Sequence, residues 1–187
     1  MTSPRFPQIT LDDLNPEARK LGEEILAISS VGLGGPYNVM LRSPVMADRM
    51  KRLLDYIRFT SSLPLRLNEF AILIQARLWT SQVEWYAHHP LALKAGLRPE
   101  IAADLKARRR PQGMAEDEAA VYDFCMELCE TRQVSDAMFA RAKAVLGEQQ
   151  VVDLIAVTGT YVTIAMMLNV AQAGVPEGKA LPFAPGE

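Results

Sequence analysis

The chain has 187 residues, of which 49% are hydrophobic and 22% are charged. This composition is typical of a soluble globular protein with a core, and the length is near that of one domain. The 20 basic and 22 acidic residues give a net charge of -2, which argues against nucleic acid or an anionic membrane as the partner. Two cysteines, Cys125 and Cys129, are too few for a disulfide scaffold. The first residues lack the pattern of a signal peptide, so we expect a cytoplasmic protein.

The prolines, glycines and capping residues that bound the segments of the sequence predict about eight helices and no strands. Asn15-Pro16 and Ser43-Pro44 each place a capping residue before a proline at the first helical position. The predicted helices span roughly residues 15–29, 43–61, 64–80, 81–96, 99–108, 116–131, 135–147 and 149–173. No segment shows the sustained alternation of a strand.

We therefore expect an all-α, single-domain helical bundle. An N-terminal arm would occupy residues 1–14, the helical domain residues 15–175, and a C-terminal tail residues 176–187. The end of that tail is predicted to be an extended arm or disordered.

Residues 154–170 carry no charge, which raises the question of whether they span a membrane. Seventeen residues are at the lower limit for spanning a bilayer. The segment also holds polar residues, among them Tyr161 and Asn169. A helix that is apolar all round in a soluble protein is buried on every side. We expect a central helix at a subunit interface, and no membrane span.

Residues 69–88 hold three groups able to exchange protons in an otherwise apolar run: Glu69, Glu84 and His88. His88 and His89 are the only histidines, and histidine titrates near neutral pH. One straight helix would hold Glu69 and His88 about 28 Å apart, at ~1.5 Å per residue. The S-x-x-E pattern that begins at Ser81 resembles a capping box, so it predicts a helix break there. Ser81, Glu84 and His88 would then share one helix face.

Residue chemistry alone leaves other interpretations of these groups open. Glu84 could serve only as a helix cap, and His88 could be a core or interface histidine. Glu69 could pair with Arg66 or Arg77. A metal site is not favoured, because one helix face supplies only two ligands.

Four segments resemble the carboxymuconolactone decarboxylase and alkylhydroperoxidase D-like superfamily. L-P-L-R-L-N-E-F-A-I-L and S-Q-V-E-W-Y-A-H-H-P-L-A-L-K-A-G-L begin at Leu63 and Ser81, and P-Y-N-V-M-L-R-S-P begins at Pro36. D-L-I-A-V-T-G-T-Y-V-T-I-A-M-M-L-N begins at Asp153. In that superfamily a Glu precedes C-x-x-C-x-x-x-H or a cysteine-free variant, and Glu69 and His88 match those offsets. The resemblance implies a helical fold and a homo-oligomer, commonly a trimer or hexamer.

Ser81 and Glu84 stand where the peroxidase branch of the superfamily has its two cysteines. A peroxidase of this kind needs a redox dithiol, so peroxidase activity is disfavoured. The chain looks more like the decarboxylase-type branch, which implies a lyase of aromatic compound catabolism that decarboxylates or isomerises a small carboxylated or lactone substrate. A non-catalytic or small-molecule-binding helical oligomer is the alternative.

The resemblance also suggests roles for the residues. His88 would deliver a proton or stabilise the lactone oxygen, Glu84 would orient His88, and Glu69 would be a second acid-base or structural carboxylate. No cofactor and no metal are expected. The candidates for substrate binding are expected near His88; they are Ser81, Trp85, His89 and Tyr161, with Tyr86 as a further pocket candidate. For Tyr161, a hydrogen bond at a subunit interface is an equal alternative.

Overall fold

The computed structural model describes residues 5–29 and 32–184, and within them every regular element is helical. In this described part of the chain, a 3-10 turn, Leu11–Asp13, precedes nine α-helices. They are α1 Pro16–Leu26, α2 Pro36–Met40, α3 Pro44–Phe59, α4 Leu65–Leu78, α5 Gln82–Lys94, α6 Pro99–Lys106, α7 Glu116–Thr131, α8 Asp136–Leu146 and α9 Glu148–Ala171. The all-α prediction is confirmed, and α2 is the one helix that the predicted set of eight did not include.

The helices begin and end where local chemistry requires it. The Asn15 side chain accepts a hydrogen bond from Ala18 N at 2.8 Å, with Pro16 in the first turn. The Ser135 hydroxyl accepts one from Met138 N at 3.3 Å. Gly147 separates α8 from α9 with a φ of 82°, a left-handed backbone angle that glycine adopts at little cost.

Helix α4 lies at the centre of the bundle. Eleven of its 14 residues are buried, in one unbroken run over residues 67–77. It packs against α5, α7 and α9, and more weakly against α6. Because neighbours surround it, even its polar side chains are buried, and Glu69 is among them. Glu69, one of the three groups able to exchange protons, therefore lies inside the protein.

Helix α9 was predicted to be a central helix at a subunit interface, and within the single chain it is buried on one side only. One side packs against α2, α3, α4 and α8, and 56% of its most apolar window is buried. The other side exposes apolar residues, namely Val152, Ile155, Met166 and Val170. By length and composition α9 could cross a membrane, but a core helix of a soluble protein meets the same criteria.

Both ends of the described chain pack onto the bundle. At the N-terminal end, Ile9 N donates to Asn38 Oδ1 at 3.0 Å and Arg42 donates to Pro7 O at 2.6 Å. At the C-terminal end, Phe183 is 2% exposed and belongs to the core cluster. The disorder proposed for the tail is therefore not what its residues up to 184 show, while residues 185–187 lie outside the described part.

Candidate active site

The chain turns sharply between α4 and α5, as the sequence predicted, but the turn is built differently. Thr80 adopts a φ of 47°, and Ser81 N donates to Ala76 O at 2.7 Å. The predicted capping box is wrong, since the Ser81 side chain makes no capping hydrogen bond. Asn169 of α9 instead donates to Trp79 O at 2.8 Å. This hydrogen bond holds the turn against α9. Asn169 does not line the cavity described below.

The turn lays α5 against α4 and brings Glu69 to His88. The His88 Nδ1 and Glu69 Oε2 atoms are 2.8 Å apart, and the two side chains are only 14% and 6% exposed. A carboxylate can only accept, so His88 Nδ1–H donates this bond. The imidazole is thereby oriented and Nε2 is left for other partners. This orienting contact was expected from Glu84, but Glu69 is the residue that makes it.

Glu84 is a buried carboxyl group of a different kind. Its side chain is 2% exposed, and neither of its oxygens has a hydrogen-bond partner of good geometry among the described residues. Burial raises its pKa from 4.5 to about 8, and the nearby Ser81 hydroxyl offsets part of that effect. Glu84 is therefore mostly protonated at neutral pH and can donate a proton.

A cavity of about 940 Å³ opens beside these groups. Its wall includes the catalytic candidates His88 and Glu84 together with Trp85, Tyr86, His89 and Tyr161. Two candidates are not in the wall. Glu69 contacts His88 from α4, and Ser81 is fully buried. A ligand in the cavity would thus meet His88 directly and would lie beside Glu84, whose carboxyl oxygens are buried, but would reach Glu69 only through His88.

Aromatic rings hold both histidines in place. The Tyr161 ring lies edge-on to His88 at 5.0 Å between centroids, and Trp85 stacks on His89 at 5.6 Å. Burial, and then the charge of Glu69, raise the pKa of Tyr161 well above its usual range, so its hydroxyl stays protonated. Burial, and then Lys106, lower the pKa of His89. His89 is therefore held toward its neutral form.

Two cations that the sequence did not predict lie in the cavity wall. Arg58 comes from the end of α3 and Lys106 from the end of α6. Within residues 5–29 and 32–184 neither forms an ion pair, and Glu84 is the only carboxyl side chain in the wall. Arg58 lies close enough to Tyr161, and Lys106 close enough to His89, for its charge to affect the pKa of that side chain. The two cations therefore lie near different parts of the wall. No motif marks either residue, because only the packing of α3 and α6 brings them here.

The two cysteines lie outside the cavity wall. Burial raises the pKa of Cys125 to about 12 and also raises the pKa of Cys129. Cys125 contacts the Thr158 hydroxyl, and the Cys129 thiol donates to Gln75 Oε1 at 3.4 Å. Both thiols are thus kept protonated, which disfavours their use as nucleophiles. Among the described residues, no three His, Cys, Asp or Glu side chains form a cluster that could hold a metal ion.

The fold has a counterpart among solved structures. The chain superimposes on an uncharacterized peroxidase-related protein from Ralstonia eutropha JMP134, described as an alkylhydroperoxidase AhpD core, with a TM-score of 0.78. The match covers 95% of this chain and 94% of that one at 14% sequence identity. At this identity the likeness shows the fold alone, which agrees with the fold expected from the four segments. No protein-family model and no curated protein matches the sequence.

Proposed function

We propose that this chain, which has the alkylhydroperoxidase core fold, is an acid-base enzyme that needs no cofactor and acts on a small carboxylated substrate. Decarboxylation of a carboxylated lactone is the reaction that its residues support best. One observation carries the proposal: His88, paired with Glu69 at 2.8 Å, and the unpartnered Glu84 both face one cavity. Two groups in such different environments can divide proton donation and acceptance between them.

His88 would act through Nε2, since Nδ1 is bonded to Glu69. Glu69 fixes the ring orientation and stabilises the positive charge when Nε2 takes up a proton. An imidazole held in this way can hydrogen-bond the lactone oxygen or exchange a proton with it. Glu69 is therefore a positioning residue in this proposal. His88 is the group that touches substrate, and Glu84 lies beside it in the cavity wall.

The reaction itself needs one proton. The bond between carbon and the carboxylate breaks, carbon dioxide leaves, and the electron pair moves into a dienolate that the lactone carbonyl stabilises. A proton from Glu84 or from protonated His88 then adds to carbon, and water restores it to the protein. Burial favours Glu84 as the donor, because its raised pKa of about 8 keeps it neutral when substrate binds.

The cations of the wall favour an anionic substrate. Arg58 and Lys106 lack an ion-pair partner among the described residues, and the one carboxyl group beside them is mostly neutral at pH 7. A bound carboxylate would supply the missing negative charge. A guanidinium matches a carboxylate in shape and can bind it through two parallel hydrogen bonds, so we assign carboxylate recognition first to Arg58.

The structural counterpart is called peroxidase-related, but the chemistry here points elsewhere. That name belongs to the other protein, which shares only 14% of its residues with this chain. Here Ser81 and Glu84 occupy the positions matched to cysteines, and Cys125 and Cys129 are outside the cavity wall with raised pKa values. A hydroperoxide in the cavity would find no thiolate to attack it.

We also propose that the protein works as a homo-oligomer, a trimer or hexamer. The exposed apolar residues of α9 lie along one side in two pairs, Val152 with Ile155 and Met166 with Val170, and Gly159 lies between the pairs on the same side. A glycine within a helix costs about 1 kcal/mol relative to alanine, and a Cβ at Gly159 would meet nothing within 4 Å. Nothing among the described residues explains this glycine, whereas a closely packed partner would. Ile155→Glu should therefore lower the mass measured by light scattering, and an unchanged mass would exclude this surface.

The test of the reaction is turnover on a panel of carboxylated lactones, followed by release of carbon dioxide. Glu84→Gln should lower kcat by about 10²-fold or more, as loss of a general acid does. Glu69→Gln should lower it less, because His88 remains in place. Glu100→Gln, an exposed glutamate on α6, is the matched control and should retain the full rate. Turnover unaffected by Glu84→Gln would remove Glu84 from the mechanism.

A further inference from the structure

The tail after α9 forms one wall of the cavity. Beyond Ala171 the chain reverses at Gln172, where φ is 54°, and turns again where Lys179 N donates to Pro176 O at 3.1 Å. The tail residues in the wall share small or apolar side chains; they are Gly174, Pro176, Ala180, Leu181 and Pro182. This part of the cavity is therefore apolar.

Phe183 fixes the tail in position. Its backbone N–H donates to Gln82 Oε1 at 2.9 Å, and its carbonyl accepts from Gln82 Nε2 at 3.0 Å. The ring lies 5.1 Å from that of Trp85, edge-on, and 4.6 Å from the Arg77 guanidinium. These contacts bury Phe183 to 2% exposure. These four contacts fix Phe183 and keep the two residues before it, Leu181 and Pro182, against the cavity.

The cavity thus has two kinds of wall. Arg58, Lys106 and the histidines contribute charge and hydrogen-bonding groups, while the tail and Leu168 of α9 contribute apolar surface. Leu181 is 48% exposed although it faces the cavity. A large apolar side chain left open in this way gains most from a ligand that covers it.

We infer that Leu181, positioned by Phe183, determines substrate specificity by contacting the apolar body of the carboxylate ligand. Acids with an aliphatic or ring substituent large enough to reach the tail would bind more tightly than short acids. The inference rests on the proposed function for its choice of the cavity as the substrate site. It requires binding and no turnover, so the two can be tested separately.

The experiment compares butanoate, hexanoate and octanoate by isothermal titration calorimetry. Each methylene that becomes fully buried should tighten binding by up to about fourfold. If two of the four added methylenes are buried, octanoate should bind about tenfold more tightly than butanoate or better. Leu181→Ala should weaken octanoate by about three- to tenfold and butanoate by less than about twofold. Gln82→Ala, which removes both backbone anchors of Phe183, should reduce the chain-length preference in the same direction.

Leu65→Ala is the matched control, since Leu65 is 56% exposed but lies outside the cavity wall. It should bind all three acids as the unaltered protein does. The inference is overturned if the three acids bind equally, or if Leu181→Ala weakens butanoate as much as octanoate. A chain-length preference without turnover of any lactone would support the role of Leu181 and remove the proposed reaction. Turnover without a chain-length preference would support the proposed reaction and remove the role of Leu181.

Discussion

Glu84→Gln should change how the stability of the protein depends on pH. Above pH 4.5 the unfolded chain releases the Glu84 proton, whereas the folded protein keeps it until about pH 8. Raising the pH through this window therefore favours the unfolded state. Glutamine has nearly the same shape and cannot ionise, so the variant should lack this loss.

The magnitude follows from the two pKa values. A carboxyl pKa that moves from 4.5 to about 8 on folding corresponds to about 5 kcal/mol over the whole window. Most of it falls between pH 5 and pH 8. From pH 5 to pH 8 the free energy of unfolding of the unaltered protein should therefore fall by about 3–4 kcal/mol more than that of Glu84→Gln.

Urea denaturation followed by helical circular dichroism measures this difference. Curves are recorded from pH 5 to pH 8 at one protein concentration, because self-association would otherwise add a concentration-dependent contribution. Glu100→Gln, which alters an exposed carboxyl group, should follow the unaltered protein at every pH. If the free energies of Glu84→Gln and the unaltered protein run parallel, Glu84 is not a buried neutral acid and cannot be the proton donor.

Three further predictions concern carboxylate binding, thiol chemistry and the core. Arg58→Gln should raise the KM for an anionic substrate about tenfold, the effect of losing a hydrogen bond to a charged group, while a neutral ester of the same acid should be unaffected in the same assay. The double variant Cys125→Ala, Cys129→Ala should leave the rate of hydroperoxide consumption with a dithiol donor at the level of the unaltered protein; a drop would restore a peroxidase role. Phe70→Ala, which empties a fully buried site on α4, should lower the free energy of unfolding by about 3–5 kcal/mol, measured by urea denaturation, and a loss below 1 kcal/mol would show that α4 is not the centre of the core.

The residues that the sequence predicted well are those whose position depends on local chemistry. Prolines and capping residues located most helix starts, and the approach of Glu69 to His88 followed from one helix break. The details of that break were not predictable, because the left-handed Thr80 and the bond from Ser81 N to Ala76 O depend on how α5 packs. The S-x-x-E pattern therefore marked the right place for the wrong reason.

The other differences arise from long-range packing. Apolar content favoured α9 as a central helix at a subunit interface, but within the single chain α4 is the helix that its neighbours α5, α7 and α9 surround. Arg58 and the tail reach the cavity from distant parts of the chain, and neither belongs to a motif. Phe183 illustrates the difficulty: a short segment rich in proline and glycine looks unstructured until its partners, Gln82 and Trp85, are known.

Chemical rescue of His88→Ala tests the central claim most directly. The substitution removes the imidazole from the cavity wall and leaves Glu69 and Glu84 in place, so the rate of carbon dioxide release from a carboxylated lactone should fall by about 10²-fold or more. Added imidazole can occupy the space left beside Glu69 and should restore part of that rate. Full activity in the variant without imidazole would contradict the proposed role of His88.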